Sequence, residues 1–498
     1  MAENKQSTGN APHWTEKWEL VVGLEVHAQL LTKSKAYSSD PNAYGDRPNT
    51  LAGPVTLALP GTLPVPNTVV IDHAIKLGLA CGCTIAPRMH YARKNYFYPD
   101  LPKGYQITQD TTPICTGGSI TITLEDGTEK AIALTRIHME EDAGKSIHDV
   151  DPFNTLIDLN RAGVPLVEVV SEPVIRSAQE AYEYLVELRR LVRYLDICDG
   201  NMEEGSLRCD ANISLRPKGS TTFGTRTEVK NMNSFRNVQR AIEHEAQRQS
   251  EILDAGGTIR METRNFDAAK GTTTTLRSKE MAHDYRYFPE PDLLPLTVND
   301  KKKEAVRQAM PPLPRELRAK YTAQYGLSAY DAAILTDDKA TALYYEEVVA
   351  QLPGNKKPYK QVANWVMGEV RSWVNEKGAG ISEVPVSPMR LAGLVELIEA
   401  GKISRSLAAQ KLFPLMLEQD GTAQSLAEVH GLLTDADDGA VETAVRDAMA
   451  RYPDKVTAYR AGNKGLLGLF MGEVMKATKG KADPRATNTT VKRLLDEQ

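Results

Sequence analysis

Four stretches of the chain alternate apolar and charged residues with a period of two, and that pattern constrains the fold more than any other feature. In GLEVHAQL, Glu25, His27 and Gln29 share one face, while Leu24, Val26, Ala28 and Leu30 share the other. In RCDANISL, Arg208, Asp210, Asn212 and Ser214 stand opposite Cys209, Ala211, Ile213 and Leu215. In RTEVKN, Arg226, Glu228 and Lys230 line up in the same way, and IALTRIHME reads as a strand that delivers Glu140 at its end. On that register His138 is read as pointing away from the others, a structural residue. Acids sit badly on a half-buried pleat. One such strand is the ordinary solvated face of an antiparallel sheet. Four that repeat His, Glu and Asp beside Arg and Lys predict a polar cleft floored by sheet.

The stretch IHMEEDAGKS (Ile137 to Ser146) tests a rival reading, a phosphate-binding P-loop. That loop needs a second glycine five residues before Gly144, so that successive N–H groups wrap a phosphate. Met139 stands there. The acids are therefore read as one wall of a metal site.

The bulk numbers exclude several classes. A length of 498 residues allows about three domains, and 41% hydrophobic with 25% charged residues is ordinary for a globular protein. A net charge of −5 advertises no globally basic surface. The first twenty residues carry acids and lack an apolar run, so no secretory signal is expected, and no apolar stretch reaches the length of a membrane span. Five cysteines are too sparse for a disulfide scaffold, and the expected location is the cytoplasm. Cys81-Gly82-Cys83 resembles half a zinc site but has no matching pair nearby.

The expected class is α+β, with a mixed strand and helix region to about residue 300 and helices beyond it. The proline-dense FPEPDLLPL (Phe288 to Leu296) and GAGISEVPVSP (Gly378 to Pro388) suggest domains 1–300, 301–385 and 386–498. Ser177 with Glu180 predicts a capping box, followed by an apolar face of Ala181, Tyr184, Leu185, Leu188, Val192 and Leu195. A second helix is expected from Asn233-Ser234 to Gly256-Gly257. MEEDAG echoes in MEEGS at Met202, and YFYPDLP echoes in YRYFPEPDLLP, which suggests a duplicated core.

Carboxylates suit magnesium. His27 is a softer ligand, matched to zinc or manganese, which leaves it to bind through water or to orient an acid. If the metal carries a nucleotide, Arg93, Lys94, Lys103, Arg226 and Lys230 are the candidate phosphate clamps. Tyr96, Phe97, Tyr98 and Tyr105 lie on a proline-stiffened loop that could stack a base or form a small core. From Lys455 to Arg493, six lysines and three arginines face two acids, a net +7 on a chain of −5. That patch fits a phosphate backbone, with Arg460, Lys464, Lys476, Lys479 and Lys481 as the candidate contacts to it.

The stretches GLEVHAQL, RKNYFYPDLPKGYQIT, HMEEDAGKS, DLNRAGVPLVEVVSEP, MEEGSLRCDANISLRP and DYRYFPEPDLLP together resemble those of the GatB family, the B subunits of bacterial aspartyl/glutamyl-tRNA amidotransferases. The resemblance implies a glutamine-synthetase-like cradle with a mainly antiparallel sheet, then a helical domain and a YqeY-like, tRNA-binding tail. It implies ATP-dependent phosphorylation of the side-chain carboxylate of Glu-tRNA(Gln) or Asp-tRNA(Asn), then amidation by ammonia. Carried over by position, the metal cleft falls on Glu25, His27, Glu140 and Glu228, with Asp210 beside them and Mg²⁺ as the ion. Glu25, Glu140, Lys94 and Lys230 are then the expected catalytic residues. No cysteine or glycine/serine-rich stretch reads as a glutaminase. The expected partners in a heterotrimer are therefore an amidase (glutaminase) subunit that supplies ammonia and a small third subunit that braces the pair. CGC at Cys81 to Cys83 departs from the family pattern. Two other readings compete, a non-catalytic tRNA-binding adaptor and a self-sufficient ligase that needs no tRNA.

Overall fold

A computed structural model of the chain describes residues 13–278, 285–354, 357–433, 438–478, 482 and 484–497. The chain divides into two compact units, Met1–Leu313 and Pro314–Gln498. Mixed sheet and helices build the first, and among the described residues the second is helical, so the class is α+β.

The first unit is organised by a ten-stranded sheet. Its centre is the Trp18–Gln29 strand, which pairs antiparallel with Pro165–Ser171 on one side and Leu207–Pro217 on the other. Glu129–Glu141 extends the sheet beyond Pro165–Ser171, and Thr227–Met232, Glu262–Asp267 and Thr272–Ser278 extend it the other way. Only the pair of Thr227–Met232 with Glu262–Asp267 is parallel among these. The alternation in GLEVHAQL is realised: Leu24, Val26 and Ala28 are fully buried, while Glu25, His27 and Gln29 retain exposure.

Helices Thr68–Ala80, Ala178–Tyr194 and Phe235–Asp254 cover the apolar face. Ala181, Tyr184, Leu185, Leu188, Val192 and Leu195 are all fully buried, as the helical spacing required. The cap of that helix differs by one residue from a capping box. Ser177 Oγ accepts from the Glu180 amide at 3.1 Å, but the Glu180 carboxylate accepts from the Arg176 amide at 2.7 Å and pairs with Lys130. Ser234 caps the Phe235–Asp254 helix by accepting from the Asn237 amide, and Gly256 follows it at φ +78°.

The proline-dense stretch returns to this unit. Phe288–Pro289 pairs with Ala92–Arg93, Leu296–Thr297 pairs with Arg88–Met89, and Leu293 and Val298 enter the core. The two aromatic echoes therefore lie side by side, and Met202 to Ser206 form a turn where Met139 to Glu141 form strand. The MEEDAG echo therefore has no structural counterpart, because its matching letters serve different backbone conformations, whereas in the aromatic echo Pro99-Asp100 and Pro291-Asp292 both form turns.

One carboxylate ties the loop that follows the central strand. Asp40 Oδ2 accepts from Ser38 Oγ at 3.0 Å, from the Gly53 amide at 2.9 Å and from Thr56 Oγ1. Burial would raise this carboxyl, but the bonds from Thr56, Gly53 and Ser38, with the Lys35 charge, hold it below the usual range. A depressed folded pKa stabilises the loop above the unfolded value near 3.9 and stops doing so as pH falls through the folded value. Asp40→Ala is expected to lower hydrogen-exchange protection of the Gly53 amide by roughly tenfold at neutral pH, the scale of one charge-assisted bond. Acid should remove the same protection from the wild type, and a pH-independent protection factor would count against the carboxylate tie.

A carboxylate-lined candidate active site

The polar face of the sheet floors a cleft of about 500 Å³. Strand register sets its contents. Arg208, His27, Glu168 and His138 stand opposite one another in a row across four strands, and Asp210, Glu25, Val170 and Arg136 form the next row. Residues that face each other on one side of an antiparallel pair bring their side chains within reach. Glu228 joins from beyond Asn212.

Two groups of ligand atoms result. His27, Glu140 and Glu168 form one, and Glu25, Asp210 and Glu228 form the other, with ligand atoms within 4.8 Å of one another in each group. Hydrogen bonds orient them: Asn212 Nδ2 donates to Glu25 at 2.9 Å, Thr108 Oγ1 to Glu140 at 2.8 Å, and Thr263 Oγ1 to Glu228 at 3.0 Å. Cations separate the acids. Lys230 pairs with Asp210 and lies 3.2 Å from Glu228, and Lys94 lies 3.6 Å from Glu140. Arg226 lines the cleft, exposed and without an ion pair among the described residues.

The electrostatics follow from burial and these neighbours. Burial and then the charges of Glu168, Glu228 and Asp210 raise the Glu25 carboxyl. Burial would raise Glu140 too, but Lys94 and His138 hold it at about 2. Glu168, between two imidazoles, is held well below the ordinary range against its own burial, chiefly by His138 and His27. His138 is in turn raised to about 9 against its burial by Glu168 and Glu140. The cleft therefore contains both a carboxyl that resists ionisation and carboxylates that keep it.

The expected residues do not all meet here. Glu25, His27, Glu140, Asp210, Glu228, Lys94, Arg226 and Lys230 do. Arg93 does not: its guanidinium forks onto Glu290 at 2.8 Å, reaches Asp292 at 3.0 Å and lies 4.1 Å over the Tyr105 ring. Lys103 turns to Glu141, on the opposite side of the strand from Glu140. His138 is corrected: it shares the parity of Glu140, lines the cleft and sits 3.4 Å from Glu168. Glu168 was missed, although a single acid inside the apolar run PLVEVVS was a signal. Arg136 and Thr108 also line the cleft and were missed.

The three consecutive acids of MEEDAG have three separate tasks. Glu140 enters the cleft, Glu141 takes Lys103 and the Ile107 amide, and Asp142 takes Gln29 and Arg208. Gly144 is needed for packing, because a Cβ there would stand 2.8 Å from the Asp100 carbonyl and 2.9 Å from that of Asp158.

In the second unit, Arg460 donates to the Leu495 and Glu497 carbonyls at a helix C-terminus, and Lys464 pairs with Asp496 at 2.9 Å. Both hold the terminal helices together. Lys476 is exposed without an ion pair among the described residues, and Lys479 and Lys481 lie outside those residues. Cys81 is buried in a core of apolar side chains and Cys83 donates its S–H to the Gly117 carbonyl at 3.0 Å.

The model of the GatB/GatE catalytic domain matches residues 20–304, the stretch that carries both ligand groups, and the GatB domain model matches residues 343–495. The chain belongs to the GatB family. Its relatives include proteins named as the B subunit of aspartyl/glutamyl-tRNA(Asn/Gln) amidotransferase. That of Syntrophotalea carbinolica is 50% identical over 97% of this chain and 99% of its own length. That of Chlorobium luteolum is 52% identical over 96% of this chain and 100% of its own. Among the described residues, no helix of this GatB-family chain is long and apolar enough to cross a membrane.

Glu168 offers a direct test of the electrostatics. Glu168→Gln removes the largest charge that opposes burial at His138. In the metal-free protein the imidazole should then titrate well below its wild-type value of about 9, read by NMR of labelled histidine. A raised folded pKa means that the imidazolium stabilises the fold below about pH 6.5, and that this contribution is lost as pH rises through about 9. A variant that still titrated near 9 would show that Glu168 is not the partner that matters.

Proposed function

We propose that the chain is the activating subunit of a tRNA-dependent amidotransferase, the enzyme for which its relatives are named. In this reading the side-chain carboxylate of Glu-tRNA(Gln) or Asp-tRNA(Asn) attacks the γ-phosphorus of ATP, giving an acyl phosphate and ADP. Ammonia then attacks the acyl carbon, phosphate leaves, and Gln-tRNA or Asn-tRNA results. The observation that carries the proposal is the pair of ligand groups on one sheet face with Lys94, Lys230 and Arg226 set among them. Bringing a triphosphate to an anionic acceptor requires that charge be neutralised at fixed positions.

The donor set fits Mg²⁺ best at Glu25, Asp210 and Glu228, which offer oxygen only; His27, Glu140 and Glu168 form a mixed second position. When bound, the ion would offset phosphate charge and polarise the transferred group. Arg226 is free to meet phosphate, and it also lines an adjoining cavity of about 480 Å³ that shares Glu25, Val170 and Met261 with the cleft. Pro173, Phe223 and Met261 give that cavity apolar walls suited to a nucleoside. The kinship to glutamine synthetase belongs to this reading, and a mainly antiparallel sheet with an acidic face supports it.

A thiol that hydrolyses glutamine must be a ready thiolate. Burial instead pushes Cys83 up to about 11 and Cys198 to about 12, and it raises Cys81, Cys115 and Cys209 as well. With no poised thiol and no glycine/serine-rich amidase stretch in the sequence, ammonia is assigned in this reading to an amidase partner, and the family resemblance adds a small third subunit in the same heterotrimer.

Three measurements test this in the assembled complex. Glu25→Gln, Glu140→Gln and Glu228→Gln should each lower acyl-phosphate formation by about 10²-fold or more, the scale of losing a preorganised charge stabiliser; near-normal turnover in all three rejects the site. With the amidase site disabled, free ammonia should still support amidation and glutamine should not. In the second unit Lys455, Lys476 and Lys492 are exposed and make no ion pair among the described residues. Changing all three to Ala should flatten the salt dependence of tRNA binding by up to about two to three in logarithmic slope, and an unchanged slope would make them ordinary solvated charges.

A further inference from the structure

Four tyrosines run in file from an exposed edge into the cleft lining. Tyr98, Tyr96, Tyr285 and Tyr287 meet edge to face in succession, with ring centroids 5.8, 6.1 and 5.9 Å apart. Tyr285 and Tyr287 line the cleft, while Tyr98 is 52% exposed at the outer end. Lys94 Nζ lies 5.3 Å from the Tyr285 ring centre and 3.6 Å from Glu140 Oε1, so the inner part of the run lies beside a cation at the ligand groups. The arrangement is built. Arg286, between the two lining tyrosines, holds a φ of +46°, rare for a residue with a side chain. Asn95 Nδ2 donates to the Tyr285 and Arg286 carbonyls at 3.1 and 2.8 Å and fixes the turn. Carboxylate activation and amidation use none of these rings.

The cleft therefore has two different ends. Glu140 stands opposite Leu166, which stands opposite Gln29 on the central strand, whereas the Phe223 cavity takes in Val21 and Gly23 of that strand. Gln29 and Gly23 are six positions apart, roughly 20 Å of strand. In-line transfer needs donor and acceptor to approach from opposite sides. An aromatic face that accepts any base, next to a cation that faces a carboxylate, suits an amino acid esterified to an adenosine.

We propose that the tyrosine run stacks the 3′-terminal adenosine of the aminoacyl-tRNA, with Lys94 facing the amino-acid carboxylate, and that ATP enters from the Phe223 end. This rests on the reading that ATP activates that carboxylate in this cleft.

The test uses the assembled amidotransferase with ammonia as donor, varying aminoacyl-tRNA and ATP separately. Tyr285→Ala and Tyr287→Ala should raise KM for aminoacyl-tRNA by about ten- to a hundredfold, the range of one lost base stack, and leave KM for ATP unchanged. Phe223→Ala should do the reverse. Tyr285→Phe keeps the ring and should rescue KM for aminoacyl-tRNA relative to Tyr285→Ala, to within a few-fold of the wild-type value, which separates stacking from loss of fold. Free CCA trinucleotide should compete with aminoacyl-tRNA in the wild type and in Tyr285→Phe, but not in Tyr285→Ala. The proposal is overturned if Tyr285→Ala moves KM for ATP instead, if Tyr285→Phe is as impaired as Tyr285→Ala, or if neither alanine variant changes KM for aminoacyl-tRNA. If Glu140→Gln abolishes activation while the tyrosine variants are silent, this proposal alone fails; an active Glu140→Gln removes the reading beneath it.

Discussion

Five carboxylates on one pleated face repel one another, and the first unit is arranged around keeping them there. Glu25, Asp210, Glu228, Glu140 and Glu168 converge within two adjoining groups. Unpaired, they would protonate or drive the strands apart. Lys230 answers Asp210 and Glu228, Lys94 answers Glu140, and His27 and His138 bracket Glu168. Each of these cations comes from a different strand than at least one of the acids it serves. The charge balance therefore exists only when the whole sheet is assembled.

The same requirement explains why the sheet is covered on one side only. Helices Thr68–Ala80, Ala178–Tyr194 and Phe235–Asp254 seal the apolar face, which fixes the strand register because a slip of one residue would send the acids into the core. The opposite face is walled by Ala92–Asn95 and Tyr105–Thr108, which supply Lys94 and Thr108. Burial raises the Glu25 carboxyl and its mostly acidic neighbours add to the rise, whereas cations hold Glu140 and Glu168 down. That imbalance is what a cation from outside would relieve.

Basic residues in the second unit follow a different logic. Arg460, Lys464 and Arg493 complete contacts among the last helices, satisfying carbonyls and acids near their ends. A net positive charge over this stretch is therefore a mixture of structural cations and free ones. Counting charges cannot separate the two, because pairing depends on which helices come together.

Much of the cleft was legible in the residues. Period-two alternation put Glu25, His27, Asp210 and Glu228 on polar faces, and apolar helical spacing identified the covering face down to Leu195. Alternation states which side of a strand a residue occupies, and the physical reason it is readable is that the pleat repeats every two residues. It states nothing about which strands are neighbours. So Arg93 and Lys94, adjacent in the chain, looked equally fit to hold phosphate, and only the assembled sheet gave one to Glu290 and the other to Glu140. Glu168 was hidden because an acid in an apolar strand acquires meaning only from the histidines that pairing places on either side. Local periodicity determined the faces; long-range strand order, set by burial of the opposite face, decided the partners.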